Sequence, residues 1–183
     1  MNDIEKKKWA IKLAVLGNPA VGKTSLIHKY TENRFEENYQ PTLGVNILTK
    51  DIILDEKNAE VRLILWDIAG QDKYELTRQL FFEGCHGSLL VYDITRSSTF
   101  NDIRTKWLED FKNFARSDGV YILIGNKVDL EESRAVMFDE GSKLANSING
   151  SEFLETSAKD GNNVQDAFKK LAITVIKKFE DTL

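Results

Sequence analysis

The sequence predicts an α/β protein: a mostly parallel sheet with helices packed on both faces. Three observations carry this. The runs 89–92 and 121–124 are short and wholly apolar, the pattern of strands buried on both faces. Phe100, Ile103, Trp107, Phe111 and Phe114 recur between them at helical spacing. Strand and helix patterns then alternate along the chain, which implies parallel strands joined by covering helices. At 183 residues the length is that of one domain, 1–183, large enough to bury a full core without staples.

The elements follow in order. Residues 11–16 form an apolar strand, with Lys6, Lys7 and Lys8 expected as a solvated lead-in. A helix over 24–30 places Leu26, Ile27 and Tyr30 inward, and a polar loop, 31–41, follows it. The runs 45–54 and 61–66 are strands joined by the short turn Asp55, Glu56, Lys57, Asn58, which suits an antiparallel hairpin. The aromatic stripe from Phe100 to Phe114 is expected to be core. Phe153 and Leu154 mark a last strand. Val164, Phe168, Leu171, Val175, Ile176 and Phe179 define the inner face of a closing helix. In such sheets ligands bind at the carboxyl ends of the strands.

Composition narrows the function. The chain is 42% hydrophobic and 30% charged, with a net charge of −4, so electrostatics favour neither nucleic acid nor an anionic membrane as a general partner. A single cysteine, Cys85, excludes an internal disulfide and fits a reducing, cytoplasmic compartment; it is expected as a small, partly buried residue beside apolar helix positions. With two histidines and one cysteine the chain offers no zinc site. The N-terminus carries no apolar stretch of signal-peptide or membrane-span length.

Residues 17–24 read Gly-Asn-Pro-Ala-Val-Gly-Lys-Thr, directly after the first strand. This is the phosphate-loop pattern in its proper context, and it points to a nucleoside triphosphate with magnesium. Two glycines let the backbone wrap around phosphate oxygens, and successive N–H groups at a helix N-terminus make a positive cradle. A plain turn needs neither the Lys-Thr pair nor this spacing. Lys23 is expected to reach the β- and γ-phosphates and Thr24 to hold Mg²⁺. After the strand ending at Trp66 comes Asp67-Ile68-Ala69-Gly70, the acidic second half of such a site, with Gly70 free to approach a γ-phosphate. Gln71 stands where it can orient a water for in-line attack. Residues 125–129 read Gly-Asn-Lys-Val-Asp after another apolar run. A carboxylate only accepts hydrogen bonds, so Asp129 can pair with the N1–H and exocyclic amine of guanine, a donor pair adenine lacks on that edge. Asn126 can tie this loop to the phosphate loop, and the Lys127 stem can cover the base. Thr156-Ser157-Ala158-Lys159 follows the last strand. The Ala158 N–H can donate to the guanine carbonyl, and Lys159 can cover the base from the other side.

With these motifs in this order the chain resembles the Ras superfamily of small GTPases, from about residue 11 to residue 179. The resemblance implies a three-layer P-loop NTPase fold with a six-stranded, mostly parallel sheet, one antiparallel edge strand and five helices. It implies GTP or GDP with Mg²⁺ as ligands, held by Gly17, Asn18, Pro19, Ala20, Val21, Gly22, Lys23, Thr24 and Ser25 of the phosphate loop. Phe35, Tyr39, Thr42, Gly70, Asn126, Lys127, Asp129, Ser157, Ala158 and Lys159 complete the implied nucleotide contacts. Thr24, Thr42 and Asp67 are the implied metal ligands, and Lys23, Thr42, Gly70 and Gln71 the implied catalytic set. Switch loops are implied at about 36–44 and 68–82. Trp66-Asp67-Ile68-Ala69-Gly70-Gln71, Tyr92-Asp93-Ile94-Thr95 and Glu155-Thr156-Ser157-Ala158-Lys159 look most like the Rab branch, while Leu43-Gly44-Val45-Asn46-Ile47 departs from the Rab pattern Ile-Gly-Val-Asp-Phe.

The resemblance further implies a monomer that meets effectors, an exchange factor and a GTPase-activating protein. Membrane attachment is expected only through a lipidated tail; the residues after the closing helix, up to Leu183, supply no cysteine, so either such a tail was removed or the protein does not use that anchor. Pro19 stands where the family has Gly or a small residue; it removes one N–H from the loop and fixes φ. No arginine is placed by a motif to act in cis. A GTP-bound scaffold with little hydrolysis is the alternative that Pro19 leaves open. An ATP-using phosphotransferase is opposed by the Asn126–Asp129 motif.

Overall fold

The computed structural model describes residues 6–37, 40–70 and 80–182. Tyr39 and Gln71 lie outside the described residues. Six strands form one sheet: β1 (Lys7–Leu16), β2 (Val45–Leu54), β3 (Ala59–Ile68), β4 (Gly87–Asp93), β5 (Val120–Asn126) and β6 (Glu152–Thr156), in the order β2-β3-β1-β4-β5-β6. Only β2 runs antiparallel, paired to β3 from Val45 opposite Ile68 to Leu54 opposite Ala59; the other neighbours are parallel. Asp55 to Lys57 make one 3₁₀ turn, and Asn58 closes it in the left-handed region that Asn tolerates.

Besides the helical residues 80–82, five α-helical segments are described: α1 (Lys23–Glu32), α2 (Ser97–Asp102), α3 (Leu108–Phe114), α4 (Phe138–Ser147) and α5 (Val164–Glu180). α2 and α3 continue into one another through a π turn, Ile103–Trp107. Strand alternation sends side chains to two separate cores. Ile11, Leu13, Val15, Leu89, Val91, Ile122 and Ile124 pack under α1 and α5, against Leu26, Ile27, Phe168 and Leu171. Ala14, Leu16, Leu90, Tyr92 and Leu123 pack under the α2–α3 rod and α4, against Ile103, Trp107, Phe111 and Ala145. The sheet is the middle of three layers, with helices on both faces. No helix of the described residues is long and apolar enough to cross a membrane.

Two expectations need correction. The first strand begins at Lys7, not Ile11: Lys7 and Lys8 pair in register with Ala59 and Glu60, their side chains exposed. β3 is long enough to receive them, so the basic run extends the strand. Cys85 is completely buried, not partly so, and sits in the turn before β4. Its thiol faces the Gly87 carbonyl at 3.2 Å, and burial pushes its pKa up to about 11.

Candidate functional site

Five parallel strands end at the same edge of the sheet, and the predicted motifs lie on the loops that leave those ends. β1 hands over to the phosphate loop, β3 to Ala69 and Gly70, β5 to Lys127 and β6 to Ser157. The phosphate loop turns into α1 at Gly22, whose φ of 98° is left-handed. A Cβ there would stand 2.3 Å from Asn126 Nδ2, so backbone freedom and close approach both require glycine. Gly70 is pressed against the same loop. A Cβ on it would meet the Gly17 carbonyl oxygen at 2.5 Å and Lys23 Nζ at 2.8 Å.

The predicted metal ligands converge. The Thr24 hydroxyl donates to Asp67 Oδ2 at 2.6 Å and lies 2.8 Å from the Thr42 hydroxyl, which is itself 3.4 Å from the same oxygen. Asp67 is 1% exposed, and its second oxygen, Oδ1, is buried with no hydrogen-bond partner among the described residues. Burial raises the Asp67 pKa; the hydroxyls of Thr24 and Thr42 and the charge of Lys23 offset this only in part. An all-oxygen cluster with an orphaned buried carboxylate oxygen fits a hard divalent cation such as Mg²⁺. Lys23 is buried alongside, with Nζ donating to the carbonyls of Gly17 and Asn18 at 2.8 and 2.9 Å.

A cleft of about 350 Å³ runs from the phosphate loop to the base-side loops. It is lined by Ala20, Gly22 and Ser25, by Phe35, by Asn126, Lys127 and Asp129, and by Ala158 and Lys159. A smaller depression shares Ala20 and Gly22 with it and is lined by Pro19, Lys23, Thr24, Thr42 and Gly70. The two depressions are thus contiguous and take in most of the predicted nucleotide contacts; Gly17, Asn18, Val21 and Ser157 line neither. Ser157 donates to Asp129 Oδ1 at 2.7 Å, which orients the carboxylate at the cleft wall. Asn126, fully buried, donates from Nδ2 to the Val21 carbonyl and accepts at Oδ1 from the Thr156 hydroxyl, both at 2.9 Å.

Several residues at this site were not legible in the motifs. Asp93, at the end of β4 and 1% exposed, accepts from Lys127 Nζ at 2.7 Å, from Arg96 Nε at 3.0 Å and from the N–H and hydroxyl of Thr95. Burial alone would raise its pKa, but Lys127 and Thr95 together outweigh it and hold the carboxyl below its ordinary value. Arg96 also donates from Nη2 to the Pro19 carbonyl at 3.1 Å. The signal available was the acidic residue closing an apolar strand in Tyr92-Asp93-Ile94-Thr95. Asn18 turns its side chain away from the cradle and toward the α2–α3 rod, where Asp102 and Trp107 hold it. Trp107 is thus both core, as its periodicity predicts, and a partner of the phosphate loop.

The sequence matches the family model for the Ras family over residues 12–177. Among similar proteins, the Ras-related protein RABA5c of Arabidopsis thaliana is 40% identical over 92% of this chain and 77% of its own length. The Ras-related proteins Rab-1 of Theileria parva and Theileria annulata are 37% and 36% identical, each over 90% of this chain and 73% of their own lengths. A strand order with one antiparallel edge, a phosphate loop joined to the base-side loops, and a family match across nearly the whole chain agree: the protein belongs to the Ras family of small GTPases and is most like its Rab branch.

Proposed function

We propose that this chain is a GTP-binding switch that hydrolyses GTP to GDP and phosphate and presents the segments 36–44 and 68–82 to effectors, in membrane-trafficking-type signalling. The observation that carries the reading is the meeting of the Thr24 and Thr42 hydroxyls at Asp67 Oδ2, with Oδ1 of the same carboxylate buried and orphaned, beside Lys23 and next to a cleft bearing Asp129. Thr42 comes from the first of these segments and Gly70 from the second, so both are tied to the phosphate side of the site. Loss of the γ-phosphate releases them, which is the physical basis of the switch.

In the proposed reaction water attacks the γ-phosphorus and GDP leaves. Lys23 and the loop N–H groups stabilise the charge that develops on the phosphate oxygens. Thr24, Thr42 and Asp67 would hold Mg²⁺, which would supply further neutralisation of that charge. Gln71 orients the water. Asp129 selects guanine, and Ser157 fixes its carboxylate for that task. Intrinsic turnover is slow, on the order of 10⁻⁴ to 10⁻³ s⁻¹, and a partner's arginine accelerates it. The exposed apolar side chains of Leu43 and Leu80, in the two segments, and of Ile47, just beyond the first, are available to an effector.

Single-turnover hydrolysis of GTP tests this. Slow release of one phosphate per protein, abolished in Gln71→Leu and Gly70→Ala, is the expected result. Undetectable hydrolysis in the unmodified chain despite tight GTP binding favours the scaffold alternative, and ATP competing as well as GTP sinks the guanine reading.

A further inference from the structure

We propose that Asp102 and Trp107 are positioning residues for the nucleotide: acting through Asn18, they hold the phosphate loop from its outer side in the conformation that retains phosphate. The proposal rests on the nucleotide-binding reading above and extends it to a helix outside the nucleotide motifs. Asn18 Nδ2 donates to Asp102 Oδ2 at 2.5 Å, and Trp107 Nε1 donates to Asn18 Oδ1 at 2.6 Å. The amide orientation follows from its partners, since a carboxylate can only accept and an indole N–H can only donate. Both ends of the Asn18 side chain are thus engaged by one element.

The π turn makes this possible. In a straight α-helix, side chains five residues apart point about 140° away from each other. In a π turn the hydrogen bond spans five residues, as it does from the Leu108 N–H to the Ile103 carbonyl, and residues five apart come to the same side. Asp102 and Trp107 are five apart: Asp102 caps the start of this widened turn and Trp107 is its last residue. An α-helical repair of the rod would turn one of them away from Asn18. Trp107 is itself anchored, 1% exposed within the core under α2 and α3.

The loop held this way is unusual. Pro19 follows Asn18 and contributes no N–H, and Ala20 is left-handed at φ 60°, an uncommon conformation for a non-glycine residue. Asn18 fixes the near side of this stretch, and the Arg96 guanidinium fixes the Pro19 carbonyl. Lys23 Nζ donates to the Asn18 carbonyl, so the backbone that carries the anchored side chain also meets the phosphate-binding lysine. Release of Asn18 frees the loop to leave the geometry that cradles phosphate.

Dissociation of a fluorescent GDP analogue from the loaded full chain tests the proposal, using Asn18→Ala, Asp102→Ala and Trp107→Phe. Loss of the charge-assisted bond to Asp102 is worth about a factor of ten or more, so release should accelerate about tenfold in Asp102→Ala and at least as much in Asn18→Ala, which loses both bonds; the neutral bond lost in Trp107→Phe should give a smaller acceleration, roughly threefold to tenfold. Phe111→Leu, in the same core cluster as Trp107 but with no side-chain hydrogen-bonding group to offer Asn18, is the control for simple destabilisation and should release GDP at the wild-type rate. The indole N–H resonances give an independent reading. Of the three tryptophans, only the signal lost in Trp107→Phe should move in Asn18→Ala and Asp102→Ala, and it should also respond to GDP loading. Asp102 is only half-buried, so its variant remains informative if Trp107→Phe does not fold. Release within twofold of wild type in Asp102→Ala and Asn18→Ala, or equal acceleration in Phe111→Leu, overturns the proposal. Failure of the unmodified chain to retain GDP overturns the reading it rests on as well.

Discussion

Asn126 Nδ2 donates to the Val21 carbonyl at 2.9 Å, across 105 residues of sequence, so the base-side loop and the phosphate loop are bonded through one buried side chain. Its other end accepts from Thr156, which brings in the loop after β6. Replacement by alanine leaves a carbonyl and a hydroxyl buried without partners. The expected loss of stability is roughly 2–6 kcal/mol, from about 1–3 kcal/mol for each orphaned group. Thermal unfolding of the GDP-loaded protein should show a fall in Tm of roughly 5–20 °C. An unchanged Tm would show that the three loops hold together without this residue.

Asp93 is expected to act on nucleotide affinity through Lys127. Asp93→Asn removes the charge that holds the Lys127 ammonium and should weaken GDP binding. Lys127→Met should weaken it by a similar factor. The double variant should lose less than the sum, with a coupling of roughly 0.5–3 kcal/mol. Calorimetric titration of the four proteins measures it, and strict additivity would separate Asp93 from the base side of the site. Because the Asp93 pKa is depressed on folding, its contribution to stability is present above the ordinary carboxylate pKa and disappears as pH falls through the lower folded value.

Asp67 should behave in the opposite sense. Its folded-state pKa is raised, mainly by burial, so folding favours the protonated form. The stability it gives is fully present below the ordinary carboxylate pKa of about 4 and is lost as pH rises through the folded value. In metal-free buffer at neutral pH, Asp67→Asn is therefore expected to be more stable than wild type, by about 1 kcal/mol. Added Mg²⁺ should stabilise the wild type and leave the variant unmoved. Urea unfolding across pH, with and without Mg²⁺, decides this; a variant still stabilised by Mg²⁺ would remove Asp67 from the metal site.

Cys85 should be inert toward thiol reagents in the folded protein. It is fully buried, and with a pKa of about 11 almost none of it is thiolate at neutral pH. Labelling at pH 8 should proceed only at the rate of opening, and should become fast in urea above the unfolding midpoint. Rapid labelling under native conditions would mean that the turn before β4 opens independently.

The strands, their parallel arrangement and the hairpin at residues 55–58 were readable because each depends on local rules. Wholly apolar runs such as 121–124 must be buried on both faces, and a four-residue link permits only an antiparallel neighbour. The motif residues were readable for a related reason: a loop that wraps an anion needs glycine at fixed positions, and a strand-end carboxylate announces itself in an apolar run. Their meeting at one edge then follows from parallel strands ending on the same side.

What needed the folded chain is every contact whose partners are distant in sequence and ordinary in type. Asn18 and Trp107 are 89 residues apart, and their bond exists because a π turn widens one helical rod where periodicity implied an even stripe. The pairing of Asp93 with Lys127 depends on β4 and β5 lying side by side, an adjacency of tertiary packing. The same packing carries Lys7 and Lys8 into β1, because β3 offers hydrogen-bonding partners beyond the apolar core. Local chemistry in the chain names the residues suited to a phosphate, a cation and a guanine. Packing decides which of their neighbours hold them still, because a side chain acquires a fixed position only from what is pressed against it.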